Sequence, residues 1–397
     1  MSDVFICSAV RTPVGTHGGA LANVRADDLA AISVKAAVDR VGFDPAKLDD
    51  VILGCANQAG EDNRNVARMA ALLAGFPVEV PGQTVNRLCG SGLQAVVNAA
   101  HAIKADEGDS FVAGGVESMT RAPYVTLKTG NPWDRHQPQT ADTTVGWRFV
   151  NPAMRGEWRI SLGETAEVVA EKYGISREEQ DQFALRSQQK AKAALDEGVF
   201  SDEIVPVPVP QRKGPDVEFS QDEHPRDVTM EHLGKLKPAV KEGGTVTAAS
   251  SSGINDGAAA LLVLSEESAT ATDTKPVARV VSSAVAGVDP SCMGLGPIPA
   301  TKKALERAGL GIDDIDLVEI NEAFAAQSIA CIRDLKLDLE KVNIYGGAIA
   351  LGHPLGGTGA KLLTTLVHAL KRSGGRYGLV TMCIGVGQGI AMIVESQ

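Results

Sequence analysis

A chain of 397 residues, 44% hydrophobic and 22% charged, exceeds one ordinary core and suits two or three domains of about 100 to 200 residues each. Its formal charge of -11 and pI near 5.2, with acids and bases mixed along the chain, exclude nucleic-acid binding through a broad basic face. No apolar run approaches the ~18 residues a membrane helix needs, and the six cysteines, at 7, 55, 89, 292, 331 and 383, lack the paired Cys-x-x-Cys spacing of a zinc site or disulfide framework.

Met1 to Val10 has no basic head followed by a long apolar stretch, so it reads as a first strand and a cytoplasmic protein is expected. Short β-rich runs at Val4 to Ala9, Val51 to Cys55 and Ser110 to Val112 alternate with amphipathic stretches at Asp28 to Val41 and Gly92 to Lys104, the rhythm of α/β layering. Between Arg121 and Val246 prolines, tryptophans and charge take over, with a Pro-Val alternation at Val205 to Pro210. This is read as an inserted, partly helical region over the core. Its clearest helices are Leu162 to Tyr173 and Arg177 to Glu197, the second opened by Ser176 with Glu179 three residues on. Gly257 to Leu264 returns as a buried strand completing the first half.

After Lys275 and Pro276 the rhythm restarts: strand Val277 to Ala284, helix Pro299 to Ala308, strand Leu317 to Ile320, helix Ala323 to Leu335, strand Val342 to Ile344. The chain is therefore read as internally duplicated. A first half at 1–120, completed by 247–270, is followed by an insertion at 121–246 and a second half at 271–397. Cys89-Gly90-Ser91-Gly92 opens a helix in the first half, and His353-Pro354-Leu355-Gly356-Gly357 opens its counterpart in the second. Halves packed about a pseudo-twofold axis would bring Cys89 and His353 together.

Cys89 precedes the start of a helix, where free N–H groups and the positive dipole end favour a thiolate nucleophile. Taken singly it also fits a buried structural thiol, His353 a turn histidine, and Asn321 the N-cap of a helix beginning at Glu322. No His or carboxylate cluster suggests a metal, and no glycine-rich phosphate loop implies ATP or NAD.

Four ordered blocks change that balance: Asn86-Arg-Leu-Cys-Gly-Ser-Gly92, Asn321-Glu-Ala-Phe324, Gly352-His-Pro-Leu-Gly356 and Cys383-Ile-Gly-Val-Gly-Gln-Gly389. With Arg11-Thr12-Pro13 and Ser252-Gly-Ile-Asn-Asp-Gly-Ala258, they resemble the thiolase family over essentially the whole chain. The resemblance implies two duplicated βαβαβαββ halves in an α/β/α/β/α arrangement, with the inserted region covering the active site. It implies acyl transfer through Cys89, with His353 taking its proton and Cys383 moving the proton at the α-carbon. His353 and a water held by Asn321 would stabilise the enolate oxygen, and the backbone N–H groups of Cys89 and Gly385 a second oxyanion. Coenzyme A is then a substrate and no cofactor is permanently bound, with Ser252 near its pantetheine amides and Arg226 near its nucleotide. A solvated loop position is an equal reading of Arg226. Family resemblance also implies a homotetramer built as a dimer of dimers.

Two departures stand out. Ser161-Leu162 precedes Gly163 where many biosynthetic acetoacetyl-CoA thiolases have His-Met, and Val386 stands where many relatives have glycine. The first points to a degradative acyl range. The runs Gly54 to Asn65 and Asp142 to Pro152 look like the β-ketoadipyl-CoA thiolases of aromatic breakdown, whose substrate ends in a carboxylate. Arg148, Arg155 or Arg159 would meet that carboxylate, or else face solvent or a neighbouring subunit. An acetoacetyl-CoA thiolase, a condensing enzyme of the 3-oxoacyl synthase type and a non-catalytic thiolase-like lipid carrier are the rival readings. The second cysteine and the intact Cys89, Asn321 and His353 weigh against the last two.

Overall fold

The computed structural model describes residues 3–397 apart from 132, 134 and 136; Met1 and Ser2, at the head of the expected first strand, lie outside the described residues. The first half supplies β1 (Val4–Arg11), α1 (Ala26–Asp39), β2 (Asp50–Gly54), α2 (Val66–Leu73), β3 (Gly82–Val85), α3 (Ser91–Lys104) and β4 (Ser110–Ser118). The insertion carries α4 (Leu162–Tyr173) and α5 (Arg177–Asp196). Each opens on a serine whose hydroxyl accepts from a glutamate N–H three residues on, while that glutamate reaches back to the serine N–H. The chain then returns as β5 (Asn255–Ser265) and β6 (Ala278–Gly287), followed by α6 (Pro297–Ala308), β7 (Leu317–Ile320), α7 (Ala325–Leu335), α8 (Leu355–Ser373), β8 (Tyr377–Ile384) and β9 (Gln388–Ser396).

The strands run β3-β2-β4-β5-β1-β6-β9-β8-β7, and Gly15–Thr16 adds a short strand beside β5. Taken inward, β2-β4-β5-β1 and β7-β8-β9-β6 follow the same order with the same parallel and antiparallel pairings, so the duplication is structural; β3 at one edge has no counterpart strand among the described residues. β1 and β6 meet at Phe5↔Arg279 and Ile6↔Ala278, a junction with few hydrogen bonds, each worth about 0.5–1.5 kcal/mol net. Packing decides the matter. Leu93 and Val96 of α3 and Leu362 and Leu366 of α8 share one core with Ile52, Val380 and Met382 of the two half-sheets, each large side chain contributing about 1.5–3 kcal/mol. Helices α1 and α2 cover the outer face of the first half-sheet, where Leu29, Val34, Leu53 and Leu262 are buried. Helices α6 and α7 cover the second, where Leu305, Ile320, Leu379 and Ile393 are buried together. The result is five layers, α/β/α/β/α.

Glycines let α3 and α8 touch at their N-termini. A Cβ on Gly92 would lie 2.7 Å from the carbonyl oxygen of Gly356, and one on Gly359 would lie 2.5 Å from the backbone nitrogen of Leu93. Cys89 and His353 each sit two residues before these helices, so close helix packing carries both to one place.

Two local expectations differ from the structure for physical reasons, and one rival reading falls. Val342 to Ile344 forms only a bridge, Val318↔Val342. Asn343 is left-handed there (φ 44°), and its side chain replaces the ladder, accepting from Ile320 N at 2.9 Å and donating to Ile320 O at 3.0 Å. Helix α7 begins at Ala325, so Asn321 is not its N-cap. The strand expected at Ser110 to Val112 extends to Ser118 because it is buried on both faces and shows no alternation.

Candidate active site

Three turns build the site. Cys89 follows Leu88, whose backbone is left-handed (φ 48°), and Gly90 packs so closely on Ile384 that a Cβ would lie 2.6 Å from its Cδ1. His353 follows Gly352 (φ 85°), where a Cβ would meet the Asn255 side chain at 2.6 Å. Cys383 is the penultimate residue of β8, in a hairpin whose last pair is Ile384↔Gln388. Within that hairpin turn Val386 is left-handed (φ 62°) and 39% exposed. It faces solvent at the position where glycine would relax the backbone, and Gly385 is untouched.

Cys89, His353, Cys383, Gly385 and Ser252 line one cavity of about 260 Å³, with Met293, Phe324 and Leu162 as apolar walls. Asn321 is fully buried beside it, its Nδ2 3.4 Å from His353 Nε2. Asn321 Oδ1 is buried without a hydrogen-bond partner among the described residues, which is costly unless a donor reaches it. Arg226 is exposed, and among the described residues it lines neither this cavity nor the one below.

Electrostatics correct the expectation of a ready thiolate. Burial pushes the Cys89 thiol up to about 11, and the N–H groups of Gly385 and of Cys89 itself pull it only partly back. Helix α3 starts two residues later, so desolvation outweighs the dipole. Burial and the nearby Cys89 raise Cys383 further. Burial, then the Lys361 charge, lowers His353 to about 3, leaving a neutral imidazole. Thr358 Oγ1 lies 2.6 Å from Nδ1. With the Nδ1 proton donated to Thr358 and the Asn321 amide donating at Nε2, the Nε2 lone pair is the basic atom.

A second cavity of about 290 Å³ shares Cys89, Leu162, Leu355 and Gly385 and extends past Asn57, Thr143, Trp147 and Arg148. Arg155 is exposed, stacked 4.8 Å from the Trp158 ring centroid and 4.0 Å from Glu157. Arg159 is also exposed. Only Arg148 of the three reaches the cavity.

Sequence reasoning gave no role to Thr358, Asn255 or Glu117. Thr358 has a weak signal, standing five residues after His353 on the first turn of α8. Asn255 Oδ1 accepts the His353 N–H across 98 residues of sequence. Buried Glu117 accepts from the N–H groups of Ala56, Asn57 and Gly356, tying the two cavity walls together; burial raises it to about 7 despite those bonds. Such long-range partners leave no local pattern. Among the described residues no group of three His, Cys, Asp or Glu is placed to hold a metal, and no helix is long and apolar enough to cross a membrane.

Family models for the thiolase N-terminal and C-terminal domains match residues 4–267 and 274–396. The chain is 55% identical to the β-ketoadipyl-CoA thiolase of Acinetobacter baylyi (strain ATCC 33305 / BD413 / ADP1), with both chains fully covered. It is 56% identical to the 3-oxoadipyl-CoA/3-oxo-5,6-dehydrosuberyl-CoA thiolase of Escherichia coli (strain K12), again over both whole chains. The crystal structure of human mitochondrial 3-ketoacyl-CoA thiolase in complex with CoA superposes with a TM-score of 0.93 at 43% identity, covering 100% of this chain and 98% of that one. The chain, an acyltransferase, belongs to the thiolase family.

Proposed function

We propose that the protein cleaves 3-oxoadipyl-CoA with free CoA to acetyl-CoA and succinyl-CoA, as a degradative thiolase of aromatic breakdown. The observation that carries this is the convergence of Cys89, His353 and Cys383 on one cavity, with a second cavity leaving from Cys89. One arm suits pantetheine and the other the acyl group. The substrate is supported by the runs Gly54 to Asn65 and Asp142 to Pro152 and by the names of the full-length relatives.

As the Cys89 sulfur adds to C3, its proton passes to His353 Nε2. The C2–C3 bond then breaks, leaving a succinyl thioester on Cys89 and the enolate of acetyl-CoA, which takes a proton at C2 from Cys383. The thiol of free CoA next gives its proton to the Cys383 thiolate and attacks the acyl carbon. Cys89 departs and recovers its proton from His353. Burial keeps Cys89 and His353 neutral at rest, so charge develops only as the C–S bond forms. The N–H groups of Cys89 and Gly385 would take the oxyanion at C3, and His353 with a water on Asn321 the enolate oxygen. Ser252 would meet the pantetheine amides and Arg226 the nucleotide. A cytoplasmic homotetramer, a dimer of dimers, completes the reading and is checked by light scattering.

Rates with acetoacetyl-CoA, 3-oxohexanoyl-CoA and 3-oxoadipyl-CoA, each with free CoA, test the proposal. The highest kcat/KM is expected for 3-oxoadipyl-CoA. A preference for acetoacetyl-CoA would instead make the protein an acetyl-CoA C-acetyltransferase, and no cleavage of any of them would leave a lipid carrier.

A further inference from the structure

We infer that Arg148, held by Asn57, is the subsite for the terminal carboxylate of the acyl group, an inference that rests on the dicarboxylic reading above. Among the described residues Arg148 is the only charged side chain lining the second cavity, whose other walls are neutral. Its Nη2 donates to Asn57 Oδ1 at 3.3 Å. No carboxylate lies within ion-pair distance among the described residues. By contrast Arg11, Arg25, Arg121, Arg279 and Arg376 are each paired with an acid. A guanidinium offers five N–H donors in a planar fork, so one amide contact leaves donors for a bidentate anion.

The surroundings fix that fork. Asn57 donates through Nδ2 to Thr143 Oγ1 at 2.9 Å, and its backbone N–H donates to Glu117 Oε1 at 3.1 Å. Trp147, the next residue, donates its indole N–H to Ile160 O at 3.1 Å and lies over Gly385, where a Cβ would meet its Cη2 at 2.7 Å. Consecutive residues thus cover the turn beside Cys89 and supply the cation. Such proximity suits a short acyl arm, and in 3-oxoadipyl-CoA only three carbon–carbon bonds separate the reacting carbonyl from the carboxylate. Because the carboxylate does not change charge during the reaction, its contact is equal in ground and transition states and acts mainly on KM.

The test is the ratio of kcat/KM for 3-oxoadipyl-CoA over 3-oxohexanoyl-CoA, the neutral chain of equal length. Arg148→Met is expected to lower the wild-type ratio ten- to a hundredfold, chiefly through KM for the dicarboxylic substrate. Arg148→Lys, which keeps the charge but loses the fork, should fall between them, and it reads the site even if the methionine variant folds poorly. Arg155→Met should keep the wild-type ratio. A wild-type ratio in Arg148→Met, or the loss appearing in Arg155→Met instead, overturns the subsite while leaving the dicarboxylic reading standing. A wild-type enzyme that prefers the neutral chain overturns the dicarboxylic reading itself.

Discussion

Asn255 Oδ1 accepts the backbone N–H of His353 at 3.0 Å, so a strand of the first half holds the proposed base, which the second half supplies. The same side chain donates through Nδ2 to Gly15 O at 3.0 Å and lies 3.3 Å from His224 Nδ1. The His353 backbone is therefore held by a side chain whose own partners, Gly15 and His224, line neither cavity.

Asn255→Ala is expected to lower kcat by about ten- to a hundredfold, because a shift of about 1 Å in a reacting group costs that much. KM for CoA should move far less. Steady-state kinetics on protein of wild-type circular dichroism checks this, and an unchanged kcat would remove Asn255 from the positioning of His353.

Cys89→Ser should abolish turnover and the acyl adduct, since a hydroxyl is a far poorer nucleophile at neutral pH. Cys383→Ser should still acylate Cys89 from acetyl-CoA yet lose carbon–carbon bond cleavage and formation, because only proton transfer at the α-carbon is removed. Intact-mass spectrometry with peptide mapping distinguishes them. An adduct found on Cys383 alone would exchange the two roles.

Cys89, pushed up to about 11 by burial, is a neutral thiol at pH 7, and its thiolate fraction grows about tenfold per pH unit below that value. Alkylation of Cys89 by iodoacetamide should therefore keep rising from pH 7 to pH 10; a plateau below pH 8 would mean that a thiolate exists at rest. The sign for stability follows. A pKa raised by folding gives a contribution that is full below the unfolded value near 9 and is lost as pH climbs toward 11, at up to about 1.4 kcal/mol per unit for each such thiol.

Arg11 is 1% exposed and pairs with Glu203 at 2.5 Å and with both oxygens of Asp222 at 2.7 and 2.9 Å. This clasp fastens the insertion to β1. Arg11→Met strands two buried carboxylates and should cost about 3–5 kcal/mol, read as a fall in the urea midpoint. A loss under about 1 kcal/mol would show that the acids find other partners or take up protons cheaply.

The ordered blocks around Cys89, Asn321, His353 and Cys383 made the family and the central chemistry legible, because glycines and a reactive side chain must sit side by side at tight turns. The duplicated rhythm made the layering legible for the same reason: apolar periodicity and turn residues are local. Ser176 with Glu179 announced α5, and Ser161 with Glu164 opens α4 by the same local device. Where a side chain replaced backbone pairing, as at Asn343, the pattern looked like a strand and was not one.

The sequence by itself determined the family, named the residues proposed to do its chemistry, and showed that two similar halves carry them. Tertiary structure alone decided the protonation state of Cys89, since desolvation is set by everything packed around the sulfur and outweighs the helix end that the sequence displays. It also decided which arginine of Arg148, Arg155 and Arg159 enters the cavity, since that depends on Asn57 and Glu117, roughly 90 and 30 residues away along the chain. Contacts over such separations are fixed by how the layers close, and no local spacing encodes them.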